Sequence, residues 1–268
     1  DLHTHLDKGH IWPRKQNPEG TWIGALRAVL EDREANWASD DVERRMDFSL
    51  RCAYVHGTAA IRTHLDMAPP QHEISWDVFE AMRERWAGRI ELQAAGLMGP
   101  DTILDDSALR AVATRTKAAG GILGGSKAVH PENPTIMRRL VEVAGELGLD
   151  IDLHTDESPD PATNALECLA DAVIETGFSG SVVAGHCCSL AVQDAAQGAL
   201  IDVAEQVAAK GAKVFTTSRK ATTATALPAV RTGHPLTDPI SLIASFYAMV
   251  EQVAVARGVN PDAPRHLR

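Results

Sequence analysis

Short apolar runs recur about every 30 residues along most of this chain, and helical patterns fill the gaps between them. Strands are expected near 1–7, 59–65, 90–96, 121–126, 150–155, 181–186 and 212–217, with helices over 40–56, 105–119, 133–147, 162–176 and 199–210. Thirty residues is about the length of one βα unit. Strands alternating with helices imply a parallel sheet, and this many at constant spacing favours an α/β (β/α)8 TIM-barrel-like fold over an open sheet. The 268 residues suffice for one such barrel. Within 133–147, Ile136, Leu140, Val143 and Leu147 are spaced for one buried helix face. Residues 8–38 carry Trp12, Pro13, Asn17, Pro18 and Gly20 and read as an extended loop over the barrel mouth.

The regularity breaks in the last quarter. A strand at 227–232 would follow the one at 212–217 after roughly ten residues, whereas a parallel crossover needs about a dozen or more. The helix expected between them is missing from the pattern. One strong helix closes the chain over about 238–257, with Asp238 as N-cap, Pro239 at the first helical position and Gly258 as stop. Leu242, Ile243, Phe246, Met249, Val250 and Val253 give that helix one broad apolar face.

Composition narrows the partners. A formal net charge of -10 and a pI near 5.5 repel phosphate backbones and anionic membrane surfaces, so neither nucleic acid nor membrane is expected. No apolar run reaches membrane-span length and no signal peptide is apparent. The chain opens on Asp1 without an initiator Met, so preceding residues are expected to be missing. Its four cysteines, Cys52, Cys168, Cys187 and Cys188, suggest no disulfide framework, and a reduced, cytoplasmic setting is expected. The expected partner is a small-molecule substrate; a homo-oligomer is compatible with this composition.

Chemistry concentrates at the C-terminal ends of the expected strands, where barrel enzymes build their active sites. His3 and His5 lie two apart, so on a strand both imidazoles point the same way. His64 stands near the end of the second strand, in RTHLD, which echoes the THLD of residues 4–7. His154 ends the fifth and is followed by Asp156 and Glu157; His186 ends the sixth. A single histidine is more often a core or surface residue than a ligand. Five on one rim point to a transition-metal site, since imidazole is the commonest protein ligand for such ions. Cys187 and Cys188 beside His186 read as small buried thiols, because adjacent cysteines chelate one ion poorly.

DLHTHLDK, AIRTHLD, DLHTDE and VVAGHCCS, in this order and at barrel spacing, resemble the amidohydrolase superfamily, its cytosine deaminase branch in particular, over residues 1 to about 197. The resemblance implies one Zn or Fe ion held by His3, His5 and His154. It also implies that Glu157 shuttles protons and that His186 holds the hydroxide or intermediate; His64 and Asp156 are candidates for the substrate pocket. A divalent metal lowers the pKa of bound water to about 7, which supplies hydroxide for attack on an amidine-like or amide carbon. The activity so implied is hydrolysis of a C–N bond in a small cyclic amidine or amide.

Two family features have no counterpart. Pro235 falls where a strand-eight metal Asp is expected, leaving Asp238 as a candidate fourth ligand. The glutamine that reads cytosine is replaced by Gly99 or Pro100 in LMGPDTIL, so a substrate other than cytosine is expected. Residues 198–268 resemble instead the C-terminal part of a sugar isomerase (SIS) domain, expected to complete or pack on the barrel. That tail leaves two rival readings: a phosphosugar-binding or isomerase module, and a catalytically inactive chimeric barrel scaffold.

Overall fold

The computed structural model describes residues 1–127 and 131–192, together with the backbone of two short strands at 215–216 and 225–226. The chain divides into two compact units, Asp1–Ala191 and Val192–Arg268. In the first, the elements run α1 (Trp22–Asn36), α2 (Ser39–Val55), β1 (Ala60–Asp66), α3 (Gln71–Arg85), β2 (Glu91–Met98), α4 (Pro100–Leu104), α5 (Asp106–Ala118), β3 (Ile122–Lys127), α6 (Asn133–Leu147), β4 (Ile151–Thr155), α7 (Ala165–Thr176) and β5 (Val182–His186). In the second unit, β6 (Phe215–Thr216) pairs in parallel with β7 (Thr225–Ala226).

β1 to β5 form one parallel sheet in sequence order, each joined to the next by helix. This curled, half-barrel-like arrangement is an α/β fold of TIM-barrel type. Leu65, Leu123 and Leu153 on the strands meet Trp76, Phe79 and Met82 of α3, Leu109 of α5, and Ile136 and Leu140 of α6 in one buried core. Each fully buried side chain of this size contributes about 1.5–3 kcal/mol. Gly124 is required where the sheet is tightest: a Cβ there would stand 2.7 Å from the Asp152 carbonyl oxygen and 2.8 Å from that of Gly96.

Three expectations need correction. Residues 1–7 do not form a full strand: the segment pairs with β1 through one parallel bridge, Thr4 to Thr63, and then turns. Backbone hydrogen bonds from Thr4 N–H to the Arg62 carbonyl and from His64 N–H to the Thr4 carbonyl hold it there. Residues 8–38 are not simply loop, because α1 lies within them; Thr21 caps it by accepting from the Gly24 N–H. Helix α3 fills a gap for which the sequence pattern gave no helix. By contrast, α6 matches its expected bounds and buries Ile136, Leu140 and Val143. The expected strand at 227–232 and the helices over 199–210 and 238–257, with Asp238, lie outside the described residues.

A charged network ties the N-terminal loop to the first two helices. The Arg14 guanidinium donates to both oxygens of Asp32 at 2.8 Å, and to those of Asp41 at 2.6 and 2.8 Å. Asp32 is buried and also accepts from Trp37 Nε1–H and the Asn36 amide. The Arg14 bonds, with one from Arg45 Nε at 2.9 Å, hold the Asp41 carboxyl down at about 2. A depressed carboxyl stabilises the fold fully above its unfolded value near 3.8, and that contribution is lost as pH falls through the folded value. Chemical denaturation from pH 5 down to pH 2 should therefore show stability dropping in the window between about 4 and 2. The drop should be shallower in Asp41→Asn.

Candidate active site

Side-chain alternation builds the site. On β1, Arg62, His64 and Asp66 share one face; on β4, Asp152 and His154 do the same. The register continues across the sheet, with Ser126 beside His154 and Gly124 beside Asp152. On β5 the inner positions are Val183, opposite Asp152, and Gly185, opposite His154. His186 is thus out of phase and would face the helices. Its φ of +64°, followed by +49° at Cys187, ends the extended geometry and returns the imidazole to the site. Positive φ at a non-glycine residue costs about 1–3 kcal/mol and persists where the surroundings over-determine it. Here the Cys187 N–H is held by the Thr155 carbonyl at 2.8 Å.

The five expected histidines meet. The His3 ring centroid lies 5.3 Å from that of His5, 4.4 Å from His64, 4.5 Å from His154 and 4.8 Å from His186. The Nε2 atoms of His5 and His154 stand 3.2 Å apart. Ring nitrogens of His3, His154 and His186 all lie within 4.8 Å of one another. Burial, aided by Lys8, pushes His5 down to about 3. Burial, aided by His64, pushes His154 down to about 2. Both are therefore neutral near pH 7, with lone pairs free. Among the described residues, Nδ1 of His5, His64 and His154 is buried without a hydrogen-bond partner.

This donor set fits a divalent transition metal. Two imidazole nitrogens at about 2.1 Å from a tetrahedral ion are about 3.4 Å apart, close to the observed separation. Crowding neutral, unpartnered imidazoles is costly unless something shares their lone pairs.

A cavity of about 540 Å³ opens onto the cluster, lined by His5, His154, His186 and Glu157 among others. Glu157 is partly exposed, with Oε2 3.9 Å from His186 Nε2. One wall is the α1 stripe Trp22, Leu26 and Leu30, which is substantially exposed. The lining also includes Leu97, Met98 and Gly99, together with Asp101, Thr102 and Ser126. The segment expected to lack a side-chain amide therefore still brings polar groups to the cavity.

His64 is fully buried and does not line the cavity; its Nε2 faces Asp152 Oδ1 at 3.2 Å. Asp156 is likewise buried and turned away. Its carboxylate accepts the N–H of Ala165 at 2.9 Å and of Leu166 at 3.1 Å, capping the first turn of α7. Cys187 is half-buried and its thiol is pushed up to about 11 by burial, whereas Cys188 is exposed, contrary to the expected pair of buried thiols.

Sequence reading missed a carboxylate–cation group on the cavity wall. Lys8 Nζ lies 2.6 Å from Asp66 Oδ1 and Arg33 Nη1 3.2 Å from Asp66 Oδ2. Beneath them Asp7, fully buried, accepts the Asp66 N–H at 2.7 Å; burial, with Asp66 beside it, pushes its carboxyl up to about 7. The echo of THLD at 4–7 and 63–66 was the available signal, because it places Asp7 and Asp66 at equivalent ends of two adjacent segments.

No protein-family model matches the chain. It is 52% identical over 194 residues to a pterin deaminase from Rhizobium rhizogenes, covering 72% of this chain and 44% of that protein. It is 22% identical over 192 residues to an N-isopropylammelide isopropyl amidohydrolase from a Pseudomonas strain, covering 69% of this chain and 48% of that protein. The chain thus spans about half the length of the curated relatives it matches. Among solved structures, a 5-methylcytosine deaminase from Klebsiella pneumoniae superposes with a TM-score of 0.66 at 24% identity, covering 80% of this chain and 52% of that one. An N-isopropylammelide isopropylaminohydrolase from Burkholderia multivorans gives 0.61 at 24% identity, covering 81% and 55%. These likenesses support the barrel-type fold.

If Asp156 serves as the cap of α7, Asp156→Ala should lose about 0.5–2 kcal/mol of stability. Asp156→Asn should also lose stability, because an amide keeps one acceptor oxygen and turns a donor toward the second N–H. Denaturant midpoints of the two variants measure this. A stability unchanged in Asp156→Ala would return the residue to the pocket.

Proposed function

We propose that the chain acts as a metal-dependent deaminase of the amidohydrolase superfamily, hydrolysing a C–N bond in a cyclic heterocycle of the pterin kind. The observation that carries this reading is the convergence of His5, His154, His186 and Glu157 on one cavity, with the His3 ring packed against all three imidazoles. The 52% identity to a pterin deaminase supports the substrate class. The ion, Zn or Fe, would be held by His3, His5 and His154; when bound it supplies the Lewis acidity that makes water a nucleophile at neutral pH. Glu157 takes a proton from the attacking water and passes it to the leaving amine nitrogen. His186 donates a hydrogen bond to the negative charge that develops at the attacked carbon's substituents. The apolar α1 stripe suits the flat faces of a bicyclic ring, and Asp101, Thr102 and Ser126 suit its hydrogen-bonding edge.

A second donor set, His3, His154 and His186, is favoured by the mutual approach of their nitrogens. The two sets separate by which single variant loses metal, His5→Ala or His186→Ala. On sequence resemblance alone, residues 198–268 keep their reading as a SIS-like segment, with Asp238 within it as the candidate fourth ligand. Four free thiols accord with a reducing, cytoplasmic setting.

Elemental analysis of the purified chain should find about one Zn or Fe per molecule, and His3→Ala combined with His5→Ala should abolish it. Glu157→Gln should retain the metal and lose turnover by about 10²–10⁴-fold, because an amide cannot accept the proton. Steady-state ammonia release checks this, and full activity in Glu157→Gln would assign proton transfer elsewhere.

Substrate profiling gives an independent check. Pterin should be turned over and cytosine poorly or not at all, since a site made to hydrogen-bond its substrate discriminates by about 10⁴–10⁵. Efficient cytosine turnover would show that the groups lining this cavity read a single ring.

A further inference from the structure

A polar chain crosses the inner face of the sheet beneath the imidazole cluster. Gln93 on β2 accepts from Arg62 Nη2 at 3.0 Å and from Nε at 3.3 Å. Arg62 on β1 donates through Nη1 to Asp152 Oδ2 at 2.9 Å. Asp152 on β4, almost wholly buried, offers its other oxygen to His64 Nε2 at 3.2 Å. His64 in turn packs against two rings of the cluster, with centroids 4.4 Å from His3 and 4.6 Å from His154.

Each link limits the freedom of the next. Oδ1 of Asp152 has only acceptor lone pairs, so the His64 nitrogen facing it must carry the proton. That fixes both the tautomer and the ring flip, and leaves Nδ1 as the buried nitrogen without a partner among the described residues. Asp152 cannot rotate away, because its second oxygen is held by Arg62. Arg62 is held in turn by Gln93, its register partner on the neighbouring strand. Three strands thus contribute to the orientation of one imidazole that never reaches the cavity.

We propose that Asp152 and His64 are positioning residues for the metal site. His64, locked as the Nε2–H form by Asp152, is the fixed surface against which the His3 and His154 rings are seated. The inference rests on the metal reading above and adds to it a reason for His64, the fully buried histidine of the five. It also accounts for a carboxylate buried inside the sheet with a partly buried arginine as its partner, where the strand faces would otherwise be filled by aliphatic residues. Partners behind metal ligands typically change affinity by about 10–100-fold when removed.

Two measurements test it. Long-range ¹H–¹⁵N spectra of the metal-free chain should show His64 as a single Nε2–H tautomer, and in Asp152→Asn as a mixture or the other form. Zinc titration against a chromophoric chelator should show about 10–100-fold weaker binding in Asp152→Asn and in His64→Phe, which keeps the ring volume. The double variant should be no weaker than the worse single one, because both act through the same ring. Cobalt substituted for zinc should show a shifted visible spectrum in both single variants. Should Asp152→Asn fail to fold, Arg62→Lys, which loosens the same carboxylate, should weaken zinc binding in the same sense. A mixed His64 tautomer in the wild-type chain overturns the lock. A fixed tautomer with zinc affinity unchanged in the variants overturns the positioning role while leaving the deaminase reading intact. Absence of zinc binding by the wild-type chain overturns both.

Discussion

Burying polar side chains on the inner face of a parallel sheet is the constraint from which the rest of this unit follows. Strand alternation leaves no choice about which residues point inward once the core-facing ones are set. With Ile61, Thr63 and Leu65 turned to the helices, Arg62, His64 and Asp66 must face the interior. A buried charge without a partner is expensive, and removing one member of a buried pair costs about 3–5 kcal/mol. The interior polar groups are accordingly tied to one another: Arg62 to Asp152, Asp152 to His64, Lys8 and Arg33 to Asp66. The imidazoles above them stand on a floor that is already electrostatically settled.

The cluster stays neutral even though carboxylates of that floor, Asp152 near His3 and Asp66 near His5, pull the other way. Burial and mutual proximity disfavour the protonated forms of His5 and His154, so their nitrogens remain donors to a metal near pH 7. The strain at His186 belongs to the same design. Its β5 position has the wrong parity for the site, and a left-handed backbone turn, stabilised by the Cys187 hydrogen bond to β4, corrects it. Asp156, at φ +49°, makes a similar turn on β4 and spends its carboxylate on the amides of α7. Strain and capping together set the direction in which Glu157 leaves the strand.

The cavity inherits two characters from its two walls. The α1 stripe of Trp22, Leu26 and Leu30 is apolar, whereas the group around Asp66 and the segment at Asp101 and Thr102 are polar. A flat heterocycle has the same division between faces and edges. The bicyclic substrate proposed above would match that division, its flat faces against α1 and its polar edge toward the charged and hydroxyl groups.

Much of this could be read before any coordinates. The βα period located β1 to β5 within a residue or two, because apolar runs bounded by turn residues are a local signal. The HxH spacing and the strand-end placement of His64, His154 and His186 put five imidazoles on one rim. What local pattern could not supply was the division of labour among them. His64 and Asp156 were candidates for the pocket, yet one is buried against Asp152 and the other caps a helix, since a side chain's partner depends on strands far apart in sequence. Helix α1 was invisible because the residues it buries, Gly24, Ala28 and Asp32, are small or charged, while Trp22, Leu26 and Leu30 face a cavity instead of the core. The sequence by itself determined the strands, their parallel order and the residue types available for metal chemistry. Only the tertiary structure decided which of those residues meet, because contacts such as Arg62 with Asp152, 90 residues apart, exist only once the sheet curls.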